Sequence, residues 1–161
     1  MDKKSRTKRK SPLCEAQHWL KENKDPPGFA ISTYPTKGRG IITTIYRRKG
    51  DFLLHYAGEV ISGKEGERRE KLGSSGFRFF YRNGRKDLCV DATDETGRFG
   101  RLVNHGDKKE RNAIMKGIDG HWLLFAISDI DIGDEILYDY GIEELPWKKI
   151  LENVMICLTY I

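Results

Sequence analysis

The sequence is poor in the groups that most enzymes use for covalent and metal chemistry. Among 161 residues there are only three cysteines and four histidines. Cys14, Cys89 and Cys157 are isolated and odd in number, so they resemble neither a zinc knuckle nor a disulfide framework, and metal dependence is not expected. No apolar run approaches the roughly 18 residues that a membrane helix needs, so a membrane partner is not expected either. The first residues are basic rather than apolar, unlike a secretory signal, which points to an intracellular compartment. There is no internal repeat. A phosphate-cradling loop is excluded as well, because no glycine-rich turn ends in Gly-Lys-Ser/Thr before a helix.

What is present describes one domain with a real core: 38% hydrophobic and 33% charged residues over a length that suits a single unit. The net charge of +5 hides an asymmetry. Lys3, Lys4, Arg6, Lys8, Arg9 and Lys10 crowd the start, whereas residues 119–144 contain no Lys or Arg and carry Asp119, Asp129, Asp131, Asp134, Glu135, Asp139, Glu143 and Glu144. A basic run favours polyanions through counterion release. An acidic flank beside a cleft attracts a cationic ligand. Together they suggest contact with both nucleic acid and a basic polypeptide.

Along the chain, residues 1–11 lack apolar periodicity and read as disordered. A short helix is expected over residues 12–24, capped by Ser11, with Pro12 in its first turn and Leu13, Ala16, Gln17 and Leu20 on one face. Asp25-Pro-Pro-Gly28 ends it. Short strands follow over 29–34, 41–46, 52–56 and 59–61, each bounded by Gly, Pro or Asp. Residues 62–72 are helix-compatible. Asn83-Gly84 signals a hairpin between strands over 77–82 and 86–90. Further strands are expected over 113–118, 121–127 and 135–138, with turns at Asp119-Gly120 and 132–134. Many short strands and few helices make a mostly-β fold of several small sheets.

Four segments carry the chemistry: Lys37-Gly38-Arg39-Gly40, His55-Tyr56-Ala57-Gly58, Arg101-Leu-Val-Asn104-His105-Gly106, and Asp134-Glu-Ile-Leu-Tyr138-Asp-Tyr140-Gly141. With Cys89-Val-Asp-Ala-Thr93 and Pro146-Trp147, and in this order, they resemble the SET-domain protein-lysine methyltransferases over about residues 27–149. The resemblance is densest with the group that monomethylates lysine-20 of histone H4. It implies a SET fold with a threaded, pseudoknot-like C-terminal segment. The implied organisation is a basic flank with a short helix over 1–26, the SET domain over 27–141, and a flank without zinc cysteines over 142–161.

The resemblance implies S-adenosylmethionine as cofactor. Lys37, Gly38, Arg39 and Gly40 are expected to form a turn that lets backbone approach its head group. Arg101 suits its carboxylate, Asn104 and His105 its adenosyl and methionyl parts, and Trp147 its adenine. Tyr140 is the expected catalytic hydroxyl, with Tyr56 and Tyr138 lining the lysine channel and leaving room for one methyl. Such a reaction asks little of ionisable side chains. The amine, with a free pKa near 10.4, must be neutral to attack, and desolvation in a narrow channel favours that form; what remains is alignment.

The expected partners are a histone tail as basic peptide substrate and nucleosomal DNA through the N-terminal run, in the nucleus and on the chromosome, with the protein a monomer. Two other readings stay open: methylation of a non-histone lysine, and a catalytically weak chromatin-binding module. Two departures bear on the choice. Gly106 stands where the family usually has Ser, which is expected to loosen that turn. Phe77, Phe79 and Phe80 occupy a strand richer in tyrosine in the closest group, which affects peptide choice.

Overall fold

The computed structural model describes residues 10–139. Helix α1 (Pro12–Glu22) starts as its sequence implies: the Ser11 hydroxyl accepts from the Cys14 N–H at 3.2 Å, and Pro12 fills the first turn. It stops at Asn23, which adopts the left-handed conformation (φ 52°) that short polar side chains tolerate. The buried face differs from the expected one. Ala16 is fully buried, with Trp19 and Leu20 packed beside it, whereas Leu13 and Gln17 face outward. These three inward positions follow i, i+3, i+4 spacing and meet Phe52, Leu123 and Phe125.

The strands form three sheets. β1 (Phe29–Tyr34) and β2 (Gly38–Thr43) make an antiparallel pair. β3 (Phe52–His55) edges a five-stranded sheet. β4 (Glu59–Ser62) precedes α2 (Gly63–Leu72), which Ser62 caps by accepting from Glu65 N–H at 3.1 Å. β4 then joins the hairpin of β5 (Arg78–Asn83) and β6 (Lys86–Asp91) in a sheet ordered β4-β6-β5. After a 3₁₀ turn (Gly100–Leu102) come β7 (Asn104–His105), β8 (Ala113–Ile118), β9 (His121–Ala126) and β10 (Leu137–Asp139). The larger sheet runs β3-β9-β8-β10-β7. The mostly-β expectation holds.

Turn chemistry explains the hairpins. Asp119 (φ 51°) and Gly120 (φ 79°) both take positive φ between paired Ile118 and His121, as a two-residue type I′ turn requires. In the other hairpin Asn83 pairs with Lys86, so the tip is Gly84-Arg85, one residue later than expected, with Gly84 at φ 62° supplying the left-handed position. Three apolar clusters fill the interior. One, containing Ile41, Leu53, Leu54, Val103, Ile136 and Tyr138, lies under the five-stranded sheet, and Phe77 and Met115 join it to the aromatic cluster of Tyr56, Phe79, Phe80 and Tyr81. Each such large side chain contributes roughly 1.5–3 kcal/mol on burial.

Candidate functional site

The site is assembled by the insertion of β10 between β7 and β8. Leu137 pairs with Asn104 and Tyr138 with His105 on one side, and Tyr138 pairs with Ala113 on the other, all in parallel. The loop over residues 106–112 spans the inserted strand and is bonded to it at both ends. Gly106 N–H donates to the Tyr138 carbonyl at 3.0 Å, Asn112 N–H donates to the Leu137 carbonyl at 2.9 Å, and Leu137 N–H donates to Asn112 Oδ1 at 2.9 Å. Asp139, 41% exposed, takes an ion pair from Arg111 of the covering loop at 2.6 Å. This is the arrangement a threaded C-terminal segment requires.

Gly106 does not loosen the turn. It is buried, and a Cβ built on it would stand 2.7 Å from Leu137 Cβ and 3.2 Å from Arg111 N. The glycine lets the covering loop lie directly on β10.

A second convergence lies at β2. The expected glycine-rich turn is displaced: Pro35, Thr36 and Lys37 form the turn, and Gly38, Arg39 and Gly40 already belong to β2, three residues before the expected strand start. The reason is pairing, since Ser32, Thr33 and Tyr34 of β1 hold Gly40, Arg39 and Gly38 in register. An isolated bridge from Ile42 to Glu135 brings Glu135 alongside. There Asn104 Nδ2 donates to the Arg39 carbonyl and to Glu135 Oε1, both at 3.0 Å, and Lys37 Nζ donates to Glu135 Oε2 at 2.5 Å. Lys37 also lies over the Tyr34 ring, 4.6 Å from its centre. Gly40 leaves room for this cluster, because a Cβ there would meet Glu135 Oε1 at 2.5 Å and Asn104 Nδ2 at 2.8 Å and both side chains would have to shift.

Glu135 was not among the expected site residues. In the sequence it is one acid among eight in residues 119–144, and the expected strand began with it. The strand begins instead at Leu137, Ile136 and Tyr138 turn into the core, and the Glu135 side chain, 11% exposed, faces the Lys37–Asn104 cluster.

Arg101 has a different use from the one expected. Its guanidinium is 4% exposed and already engaged, with Nε on the Ala92 carbonyl at 2.6 Å, Nη2 on the Thr93 carbonyl at 3.1 Å, Nη1 on Glu95 at 3.3 Å, and the Phe77 ring centre 3.9 Å away. Glu95 also takes Arg39 as an ion pair, so Arg101 ties the loop after β6 to β2 from within.

Tyr56 reaches this assembly through the 3₁₀ turn. Its N–H donates to the Trp122 carbonyl at 2.8 Å, and its ring is buried near Phe79. Gly100 packs on the same segment so closely that a Cβ would lie 2.1 Å from the His55 carbonyl oxygen and 3.1 Å from Tyr56 Cα. Tyr56, Arg101, Asn104, His105 and Tyr138 therefore belong to one continuous packed unit. Tyr140 and Trp147, along with the basic residues before Lys10, lie outside the described residues.

His55 and Ala57 line a separate cavity of about 620 Å³, with Glu59, Arg69, Asp91 and Thr93. None of the described cofactor candidates lines it. Among its charges, Arg69 bridges Glu59 and Asp91, each at 2.9 Å. Burial would raise the Asp91 carboxyl, but bonds from Thr93, Arg69 and Arg78 outweigh it and hold the group down to about 2. Burial, aided by Arg98 and His121, pushes His55 down to about 4. Burial also pushes the Cys89 thiol up to about 12, which leaves it an inert core group.

The chain belongs to the SET domain family, whose profile matches residues 38–141. It is similar to N-lysine methyltransferase KMT5A of Xenopus tropicalis, 32% identical over 160 residues, covering 91% of this chain and 48% of that protein. It is also similar to Histone-lysine N-methyltransferase Set8 of Drosophila melanogaster, 30% identical over 152 residues, covering 84% of this chain and 22% of the relative. Among solved structures, CpSET8 from Cryptosporidium aligns with a TM-score of 0.62 at 34% identity, over 76% of this chain and 60% of that one. The chain thus spans at most about half the length of these curated relatives.

Proposed function

We propose that this chain is the catalytic domain of an S-adenosylmethionine-dependent protein-lysine methyltransferase that transfers one methyl group to lysine-20 of histone H4 in nucleosomes. The observation that carries the proposal is the convergence of Lys37, Gly40, Asn104 and Glu135 beside the His105–Tyr138 pair. The relatives named as N-lysine and histone-lysine methyltransferases support the reaction and the substrate class.

The cluster fits the cofactor. Its amino-acid head carries a carboxylate and an ammonium, and Lys37 and Glu135 present one charge of each sign in a glycine-lined cradle. Lys37, Gly38, Arg39, Gly40, Asn104 and His105 would hold the cofactor with Glu135 as their partner, and Trp147 would cover its adenine. Arg101 would act from behind, by fixing residues 92–95. The cofactor supplies an electrophilic methyl group on a sulfonium.

The chain's own residues do the rest. Tyr56 and Tyr138, both under 5% exposed, would form a dry channel wall in which an amine loses its proton more readily than in water. Tyr140 would orient the amine nitrogen, and Tyr138 would restrict the space to one added methyl. The acid-rich stretch would draw a histone tail, and the N-terminal basic run would rest on nucleosomal DNA, placing the protein, a monomer, in the nucleus.

Transfer of label from radiolabelled cofactor to nucleosomes, free histones and a peptide array tests this. Labelled histone H4 that disappears with Tyr140→Phe is the expected result. Label only on non-histone peptides would move the substrate elsewhere, and no cofactor binding by calorimetry would leave a binding module.

A further inference from the structure

Three arginines are buried among the described residues, and two of them face carboxylates: Arg78 meets Glu70 and Asp91, and Arg101 meets Glu95. Arg47, 6% exposed, forms no ion pair among the described residues. Its backbone is fixed by two hydrogen bonds exchanged with Ile130, both at 2.9 Å. Its Nε donates to the Thr43 hydroxyl at 3.0 Å, and Nη2 donates to the Gly28 carbonyl at 2.8 Å and the Pro27 carbonyl at 3.3 Å. The Phe29 ring centre lies 4.0 Å from the guanidinium carbon. These partners are all neutral, so the charge itself is unanswered, and burial pushes the group below its ordinary value. Nη1 has no partner among the described residues, and it is not one of the polar atoms sealed in the interior.

Arg47 lines a pocket of about 290 Å³ beside α1, and none of the cofactor-cradle residues lines it. Much of the wall is apolar: Trp19 from α1, Pro26 and Pro27 from the bend after it, and Ile45, itself 47% exposed. Lys10 adds a second cation, against the single carboxylate of Glu15. The close approach of Arg47 and Ile45 depends on Gly28 (φ 98°). A Cβ there would stand 2.6 Å from Arg47 Nη2 and 2.9 Å from Ile45 Cγ1.

We infer that this pocket binds a free organic acid, one carboxylate on an aromatic or branched aliphatic body. Arg47 Nη1 and Lys10 take the carboxylate, and Trp19, Pro27 and Ile45 take the body. A carboxylate supplies the charge-assisted partner that the fold withholds from Arg47, and it is the acceptor that the edge of a guanidinium matches best. An inorganic anion would leave the apolar wall unfilled. The volume lies just under the usual range for ligand pockets, so it suits a body about the size of one large side chain. A peptide finds little here to pair with its backbone, since none of the lining residues belongs to a named strand and the two prolines have no N–H. The pocket lies outside the cofactor cradle, so it stands or falls independently of methyl transfer.

The test is titration of the full chain with 3-phenylpropionate, followed by NMR at the Trp19 indole N–H. Saturable shifts with a dissociation constant of about 1 mM or tighter are expected. The neutral isostere 3-phenylpropionamide is expected to leave the signal in place. Arg47→Met should weaken binding by at least about tenfold. Its denaturation midpoint should stay level or rise, because an unpaired buried charge gives way to an apolar side chain. Lys10→Gln, at an exposed position, should keep the fold and weaken binding about threefold. Equal binding of acid and amide would overturn the inference, and so would full affinity in Arg47→Met. If Arg47→Met does not fold, unchanged affinity in Lys10→Gln overturns it instead. Binding of the tripeptide Ala-Ala-Phe without binding of the free acid would also overturn it, in favour of a polypeptide C-terminus.

Discussion

Asn104 Nδ2 and Glu135 Oε1, thirty-one positions apart in sequence, meet at 3.0 Å across the two halves of the SET domain. The same carboxylate holds Lys37, so one side chain joins β2, the strand before the covering loop and the approach to β10.

Glu135→Gln keeps the shape but removes the charge that pairs with Lys37. The Glu135 side chain is 11% exposed but the Lys37 side chain is 39% exposed, so solvent screens the pair and its loss is worth about 1 kcal/mol. Calorimetry should show cofactor affinity lowered by about fivefold. The loss should be smaller for a cofactor analogue without its α-amino group. Equal losses for both ligands would remove Glu135 from contact with that group and leave it a structural role.

Gly106→Ser restores the residue more usual in the family, yet it is expected to destabilise this chain. The new Cβ would press on Leu137 Cβ at 2.7 Å, in backbone that is bonded to β10 on both sides. Overpacking of this kind costs about 1–3 kcal/mol. A lower denaturation midpoint checks it, and an unchanged midpoint would show that the loop has room to shift.

Tyr138→Phe addresses product state. The ring is fully buried beside the His105 strand. Without its hydroxyl the channel gains space for a second methyl, so mass spectrometry of a histone H4 peptide should show dimethyl product. Monomethyl product alone would argue against Tyr138 as the limiting wall.

His55 makes stability depend on pH in a defined window. Its folded value is near 4 and its ordinary value is 6.5, so between these the unfolded chain binds the proton and the folded chain does not. The contribution is fully present above pH 6.5, is lost as pH falls toward 4, and is constant below that. Asp91, held near 2 against an ordinary 3.8, adds a separate loss below pH 3.8. Denaturation curves across pH, with His55→Gln flattening the upper window only, are the check.

Much of the scaffold was legible in the sequence because its signals are local. Ser11-Pro12 and Ser62 start helices by satisfying free N–H groups, and Asp119-Gly120 turns because both positions accept positive φ. What local signals could not convey is which strands become neighbours. Nothing within residues 104–113 says that a strand from 137–139 will lie between them. The inward turn of Glu135 depends on that insertion, so the sequence shows it only as one member of an acidic flank. Arg101 shows how little local signal tells of use: its guanidinium is held by the carbonyls of Ala92 and Thr93, only nine and eight residues earlier, which the path of the chain after β6 folds back onto it. Asn104 and Tyr138 stand out in the sequence because their motif is distinctive, and the fold brings their strands together.

The seat of β10 between β7 and β8 also imposes an order of assembly during synthesis. Both neighbours leave the ribosome before their shared partner, and until residues 137–139 emerge each presents an unsatisfied edge ready to pair with another chain. Parallel, sequence-distant pairing is slow to form. The nascent protein is therefore most exposed to aggregation just before its site can exist. Premature termination ahead of Leu137 would yield a product with unpaired strand edges, and chaperone demand should peak at that point of elongation.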